Sequence, residues 1–523
     1  MVSRQSLLTG TLVLVSASTV NRIAGFAYQV FLIRLIHAEG IGLFTMVFPV
    51  YVLTLVLASL GIPVAIAKLV SDAVTRNDFN RAYRLLRLSL FYTAVSSLLV
   101  TFAVLAAARF LTGNVLSNPE THLPFVCLVP AVLIVSLCSV FRGFFQGLQD
   151  MTPTAVTQTV EQAVRVIAGL SFASLLVHQG VVAAACGASL GVVCGELAGF
   201  LLMLGYFFRR RSALPAAGRM GTDYFNLTVE LFRLSLPITL MRLVSTGFLS
   251  LDAVVIPHRL TAAGLSVREA TNVYGQFAGI AETLLFTPGM ITVALSTALV
   301  PAIAEALTAQ NSGLLSSRVN NALRLTMLTG LPSALVLFMV PEELCAVIFG
   351  YPQAGAVLKV LALGAPFLYL QQTTTGILQG LGQPLIPFRN LVVASVFKIT
   401  GIYFLTGVPA CGIRGAGAAL VCGFVIMSVL NLFDLRQLTG CALRWREILL
   451  KPLFATGVAA AVLYFSFNCP AARAVPLALN LVAALMVAGF GYVVFVIVSG
   501  ALTGGERKRL FCVFCKIFAA IKK

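Results

Sequence analysis

Apolar runs with few or no charges recur from one end of this chain to the other. About 20 such residues let a helix cross the ~30 Å hydrocarbon core of a bilayer. Inside a bilayer only helices and closed barrels satisfy their own backbone polar groups. The period-2 alternation of a membrane barrel is absent from the sequence. Composition agrees: the 523 residues are 59% hydrophobic and 10% charged, with mean hydropathy +0.97, against about 25% charged residues in soluble domains. The expected fold is therefore an all-α polytopic membrane protein. The runs place spans at 5–35, 42–71, 82–111, 123–148, 153–177, 180–208, 226–257, 270–306, 316–340, 354–381, 385–407, 413–436, 447–467 and 476–501, about 14 helices in all. An even number puts both termini on one side. The first run is too long for a signal peptide, and no small-residue cleavage site stands out before the next span, so it is expected to be the first transmembrane helix.

The net charge of +18 does not point to nucleic acid, because the basic residues lie mostly in short loops. One set of loops holds Arg76, Arg81 and Arg84, then Arg209, Arg210, Arg211 and Arg219, Arg318, Arg436, Arg444 and Arg446, and the tail with Arg507, Lys508 and Arg509. The opposite loops hold Arg259, Arg268, Arg414 and Arg473, and they collect Glu120, Glu342, Glu343 and the four His. The positive-inside rule then makes the first set, and both termini, cytoplasmic. The 11 Cys are scattered, mostly within apolar runs, and are expected to be free buried thiols. Cys512 and Cys515 form a C-x-x-C without partner ligands, and His37, His122, His178 and His258 lack metal-ligand spacing, so no metal and no cofactor is expected.

The sequence also repeats itself. "AIAKLVS" (65–71) matches "AIAEALT" (302–308), and "RLSL" (87–90) matches "RLTM" (324–327), both at an offset of 237. "GFFQGLQ" (143–149) matches "GILQGLG" (376–382) at an offset of 233, which also lays Arg165 over Lys398. Six spans separate equivalent elements, so the copies are parallel, related by an axis along the membrane normal. The expected organisation is a first lobe at 1–208, a cytoplasmic linker at 209–225, a second lobe at 226–436, a final helix pair within 437–501, and a basic amphipathic tail at 502–523 suited to the anionic leaflet. Two such six-helix lobes suit a transporter, which holds its substrate near the bilayer midplane.

Charges inside the apolar runs point to what is carried, because a cation at membrane depth is tolerated only where it is paired or used. Ser18, Arg22, Gly25 and Gln29 share one helical face beside Asn21, a polar stripe fit to line water. Arg34 lies off it, near the end of the span, where it can snorkel. Arg242 takes a comparable depth in the seventh span, with Ser245 and Asp252 following. Glu161 and Arg165 form an i,i+4 pair able to neutralise itself, Lys398 lies at the depth of Arg165, and Glu196 and Glu282 are further mid-span acids. Guanidinium groups cannot shed their charge and match phosphate oxygens, which favours an anionic passenger. The substrate-binding candidates are Arg22, Asn21, Gln29, Arg242, Arg165 and Lys398, and the ion-coupling candidates are Glu161, Asp252 and Glu282. Breakers in "LGIPVAIA", "FTPGMITVAL" and "GLGQPLIP" mark kinks of the kind found beside cavities.

The run "EGIGLFTMVFPVYVLTLVLASLGIPVAIAKLVSD" (39–72), after "NRIAGFAYQVFLIRLI", resembles the stage V sporulation protein B family, and "FRGFFQGLQDMTPTAVTQTVEQAVRV" (141–166) is similar too. That family consists of polysaccharide-transporter-type members of the multidrug/oligosaccharidyl-lipid/polysaccharide exporter superfamily, and the likeness runs over essentially the whole chain. It implies a flippase for an undecaprenyl-diphosphate-linked saccharide, lipid II for spore cortex. Without a Walker motif or a soluble catalytic domain no enzyme is expected; a monomer is expected, with membrane lipids and cell-wall synthases as candidate partners. The resemblance also implies cavity Arg residues in the first, second and eighth helices. Arg22 matches the first of these, while the second helix lacks a mid-span Arg and the eighth carries Glu282 instead. A cation-coupled multidrug extruder on the same scaffold and a non-transporting membrane scaffold are the rival readings.

Overall fold

The structure is a computed structural model and describes residues 7–211, 224–469 and 475–499. The sequence-expected linker core and tail, with Cys512 and Cys515, lie outside the described residues. In chain order the helices are α1 (Leu7–Ser59), α2 (Ile62–Thr75), α3 (Phe79–Phe110), α4 (His122–Leu128), α5 (Ala131–Gly147), α6 (Thr152–Leu176), α7 (Val181–Arg211), α8 (Tyr224–Ala262), α9 (Val267–Tyr274), α10 (Glu282–Thr308), α11 (Ser312–Met339), α12 (Pro341–Phe349), α13 (Gly355–Gly380), α14 (Leu385–Thr406), α15 (Gly412–Thr439), α16 (Lys451–Asn468) and α17 (Leu477–Val498). No strand occurs among the described residues.

Thirteen of the described helical stretches are long and apolar enough to cross a membrane. The first, Ser16–Ser59, carries His37 at φ 61°, ψ 176°, so it is two helices joined at a sharp bend and accounts for two of the expected spans. The expected span at 42–71 needs correction: it stops at Ser59, turns through Leu60 and Gly61, both at positive φ, and restarts as α2 with Pro63 in its first turn. Gly61 is needed there twice over. Its φ is 61°, and an added Cβ would lie 2.7 Å from the Ser235 carbonyl oxygen and 2.8 Å from Thr239 Oγ1.

Small residues bring the other helices together where the solvent supplies no hydrophobic drive. On α7, Gly187, Gly191, Gly195 and Gly199 recur every fourth residue and face α6. A Cβ on Gly195 would stand 2.8 Å from the Glu161 carbonyl oxygen and 2.9 Å from Arg165 Cβ. The glycine stripe therefore sets the separation at which the α6 and α7 charges meet.

The chain forms two compact units, one of residues up to Thr283 with Lys398–Ala416, the other of Leu284–Phe397 with Gly417 onward. Compactness thus divides the chain after Thr283, whereas the repeat divides it near the linker. The repeat is nonetheless visible in each unit. In the first, α5 ends at Leu148 (φ −75°, ψ 0°) followed by Gln149 at φ 59°; in the second, α13 ends at Leu381 (φ −74°, ψ 0°) followed by Gly382 at φ 76°. Gly143 abuts the Pro63 carbonyl and Gly147 the Ala67 carbonyl and Val70 of α2, while Gly376 abuts the Ser296 carbonyl and Gly380 the Val300 carbonyl and Ile303 of α10. Each of these residues in the first unit is 233 before its counterpart in the second. By its contacts Gly143 therefore corresponds to Gly376, the partner that the sequence match selects.

Candidate functional site

The charged residues singled out in the sequence sort into three arrangements, all within the first compact unit. In the first, Arg165 Nη2 donates to Glu161 Oε1 at 2.7 Å and to Glu196 Oε1 at 2.6 Å, while Arg142 Nη2 donates to Glu161 Oε2 at 2.7 Å. Two guanidinium groups face two carboxylates, and the four side chains are between 9% and 20% exposed. Such a network is tolerated at membrane depth because its charges cancel. Arg165, expected to bind substrate, and Glu161, expected to couple an ion, are both engaged in this neutral network. Arg142 escaped the sequence reading. The available signal was an arginine inside the apolar run 123–148, hidden by its nearness to the end of that run.

The second arrangement is unbalanced. Lys398 Nζ of α14 donates to Asp252 Oδ2 of α8 at 2.6 Å, and the other carboxylate oxygen, Asp252 Oδ1, is buried without a partner among the described residues. Glu282, at the start of α10, lies within electrostatic reach of both, and Tyr274 of α9 is close to the two acids. The segment before Glu282, Gly275–Ala281, is wound as a π-helix, a local widening that recurs at functional sites. Lys398 is thus paired rather than free, and two of the three ion-coupling candidates share one site with a carboxylate in excess.

The third arrangement is a pair of unmatched cations. Arg22 and Arg242 are both exposed, and neither has a carboxylate or hydrogen-bond partner among the described residues. The stripe that begins at Ser18 and Arg22 is partly covered further along. Gly25 faces Gln162 of α6, with 3.6 Å from an added Cβ to Nε2, and Gln29 Nε2 reaches the Gly279 carbonyl oxygen at 3.4 Å, a long contact. Asn21 is half-buried. The open part of the stripe is therefore its Arg22 end.

Beyond the stripe the bend of α1 is pinned. Arg268 donates through Nε and Nη2 to the two oxygens of Glu39 at 2.7 and 2.9 Å, and Asn118 Nδ2 donates to Thr271 Oγ1 at 2.8 Å in a buried position. A Cβ on Gly275 would run into the Ala38 carbonyl oxygen, so the backbones touch there.

Residues 7–307 match the model of the family described as polysaccharide biosynthesis protein, and residues 278–404 match MatE. The chain is 33% identical over 454 residues to stage V sporulation protein B of Bacillus subtilis (strain 168), covering 86% of this chain and 87% of that one. It is 26% identical over 416 residues to lipid II flippase MurJ of the same organism, covering 75% and 76%. A solved inward-facing multidrug resistance MATE family transporter of the MOP superfamily shares the fold, with TM-score 0.67 at 15% identity over 80% of this chain and 94% of that one. The all-helical membrane fold, the matched family model and these relatives together make the chain a multi-pass member of the polysaccharide biosynthesis protein family, with a fold shared by transporters of the MOP superfamily.

Proposed function

We propose that the protein is a flippase for an undecaprenyl-diphosphate-linked saccharide, lipid II destined for spore cortex peptidoglycan, residing in the bacterial plasma membrane with both termini cytoplasmic. One observation carries the reading: Arg22 and Arg242 are exposed and unpaired among the described residues, while Arg165 and Lys398 are neutralised by carboxylates. An unpaired guanidinium in a membrane span calls for an anionic visitor, and a diphosphate offers the oxygens it binds best. The names of the relatives, a sporulation protein and a lipid II flippase, support this passenger. Arg22 and Arg242 hold the diphosphate, with Asn21 and Gln29 beside it for sugar hydroxyls. The prenyl chain remains among lipids, and alternating access re-exposes the headgroup on the other side. The membrane potential supplies about 2.3 kcal/mol per charge per 100 mV, and ion uptake at Asp252 and Glu282 supplies a second drive. The protein works as a monomer alongside cell-wall synthases.

The test is headgroup accessibility of lipid II in vesicles reconstituted with the full chain. Arg22→Ala and Arg242→Ala each lower translocation at least tenfold, and the double variant abolishes it. Wild-type rates in the double variant would overturn the reading. A second reading, cation-coupled drug extrusion, draws on the carboxylate excess at Asp252 and Glu282. It requires that expression raises drug tolerance while lipid II movement stays at the background of empty vesicles.

A further inference from the structure

The polar stripe of α1 has a counterpart on α6. The two helices run parallel where they meet: Gly25 lies against Gln162, with 3.6 Å from an added Cβ to Nε2, and a turn further along Tyr28 reaches Gly169, its hydroxyl 2.5 Å from an added Cβ. Residues 21, 25 and 28 share one face of α1, and residues 158, 162, 165 and 169 share one face of α6. The seam therefore continues toward the helix starts with Asn21 opposite Gln158, because this pair is 137 residues apart, as Gly25 and Gln162 are. Arg22 is the next residue of α1 and is exposed. Asn21, Gln158 and Gln162 are half-buried, and none of the three carboxamides has a hydrogen-bond partner among the described residues. By contrast, Arg165 on the same face of α6 donates to Glu161 and Glu196, and Gln29 of α1 reaches the Gly279 carbonyl. A half-buried amide gives up hydration and needs a partner in return. Three of them beside an unpaired guanidinium are set to grip a polar ligand.

We infer that Asn21, Gln158 and Gln162 select the sugar, and that they recognise an N-acetyl group on the sugar joined to the diphosphate. The inference rests on the flippase reading above, with Arg22 on the diphosphate. A carboxamide side chain offers an acceptor oxygen and two N–H donors. An acetamido group offers the complement, one N–H and one carbonyl, so the two meet through a pair of hydrogen bonds. A hydroxyl in the same place answers only part of the amide and leaves the rest unpaired, which is how a polar site rejects a near analogue. Asn21 and Gln158 lie level with Arg22, where the first sugar follows the phosphate, and Gln162 lies about 6 Å further along α6. The guanidinium thus sets affinity for the diphosphate, and the amides set which sugar may follow it.

The experiment measures binding of two lipids to the full chain in detergent by native mass spectrometry: undecaprenyl diphosphate bearing N-acetylglucosamine, and the same lipid bearing glucose. Wild type should prefer the N-acetylated lipid about tenfold. Gln158→Leu combined with Gln162→Leu should remove that preference and leave binding of the glucose lipid unchanged, which also reports that the variant is folded. Arg22→Ala should weaken both lipids equally. A double variant that keeps the wild-type preference would overturn the sugar site and leave the flippase reading standing, as would equal affinity of wild type for the two lipids. Binding of neither lipid by wild type would sink the flippase reading and the sugar site with it. Should the double variant fail to fold, wild type decides alone. A lipid carrying a diazirine on its acetamido group should label the peptides that hold Asn21 and Gln158, and labelling confined to other segments would overturn the proposal.

Discussion

Two charged clusters in one compact unit have opposite characters. Around Glu161, two arginines meet two carboxylates and every charge is answered. Around Asp252, one ammonium is bonded to one carboxylate with a second carboxylate within electrostatic reach, and one oxygen of Asp252 has no partner among the described residues. The closed set behaves as an internal strut: nothing can be removed without stranding a charge, and nothing is available to a passenger. The open set has room to change, because Lys398 can answer either acid. Charge balance, rather than the mere presence of charges in a span, distinguishes the two clusters.

The sharpest attempt to break this contrast is Arg165→Met. It strands Glu196 and half of Glu161, and should destabilise by about 3–5 kcal/mol, read as a large drop in the thermal unfolding midpoint in detergent. A drop no larger than that of Arg22→Ala would show that the network is not a strut. Asp252→Asn should be milder, about 1–3 kcal/mol, because Lys398 keeps Glu282 within reach; equality with Arg165→Met in the same melt would erase the distinction between the clusters. Glu282→Gln should shift stability by less than about 1 kcal/mol but flatten the dependence of transport on an imposed pH step. A mutant that follows the wild-type pH profile would move the coupling role away from the open cluster. The smallest structural effect belongs to Arg22→Ala, within about 0.5 kcal/mol, since nothing described is paired with it; a melt markedly below wild type would reveal a structural duty for that guanidinium.

Much of the architecture could be read from apolar runs alone, because a bilayer leaves a chain so few options. What could not be read is informative. The bend at His37 falls at neither a Gly nor a Pro, whereas the break at Gly61 was flagged by Gly and Pro in "LGIP". The Glu161–Arg165 pair follows from i,i+4 spacing, but its partners Arg142 and Glu196 come from α5 and α7, and Lys398 meets an aspartate 146 residues away. Helical periodicity reports only on one helix at a time, and which charges neutralise one another is decided by packing. The repeat shows the same limit. Letter matches set α2 and α10 237 residues apart, while the glycines of α5 and α13 that pack on them meet residues 233 apart, one helical turn away.

The touching backbones at Ala38 and Gly275 carry an implication about tolerance to change. Gly42 and Gly275 are 233 apart, an offset that relates the copies, and each meets the backbone of the other copy, Gly42 at the Thr271 carbonyl and Gly275 at the Ala38 carbonyl. The same patch thus serves both sides, as in an isologous pairing, and a side chain gained at either glycine drives two backbones apart.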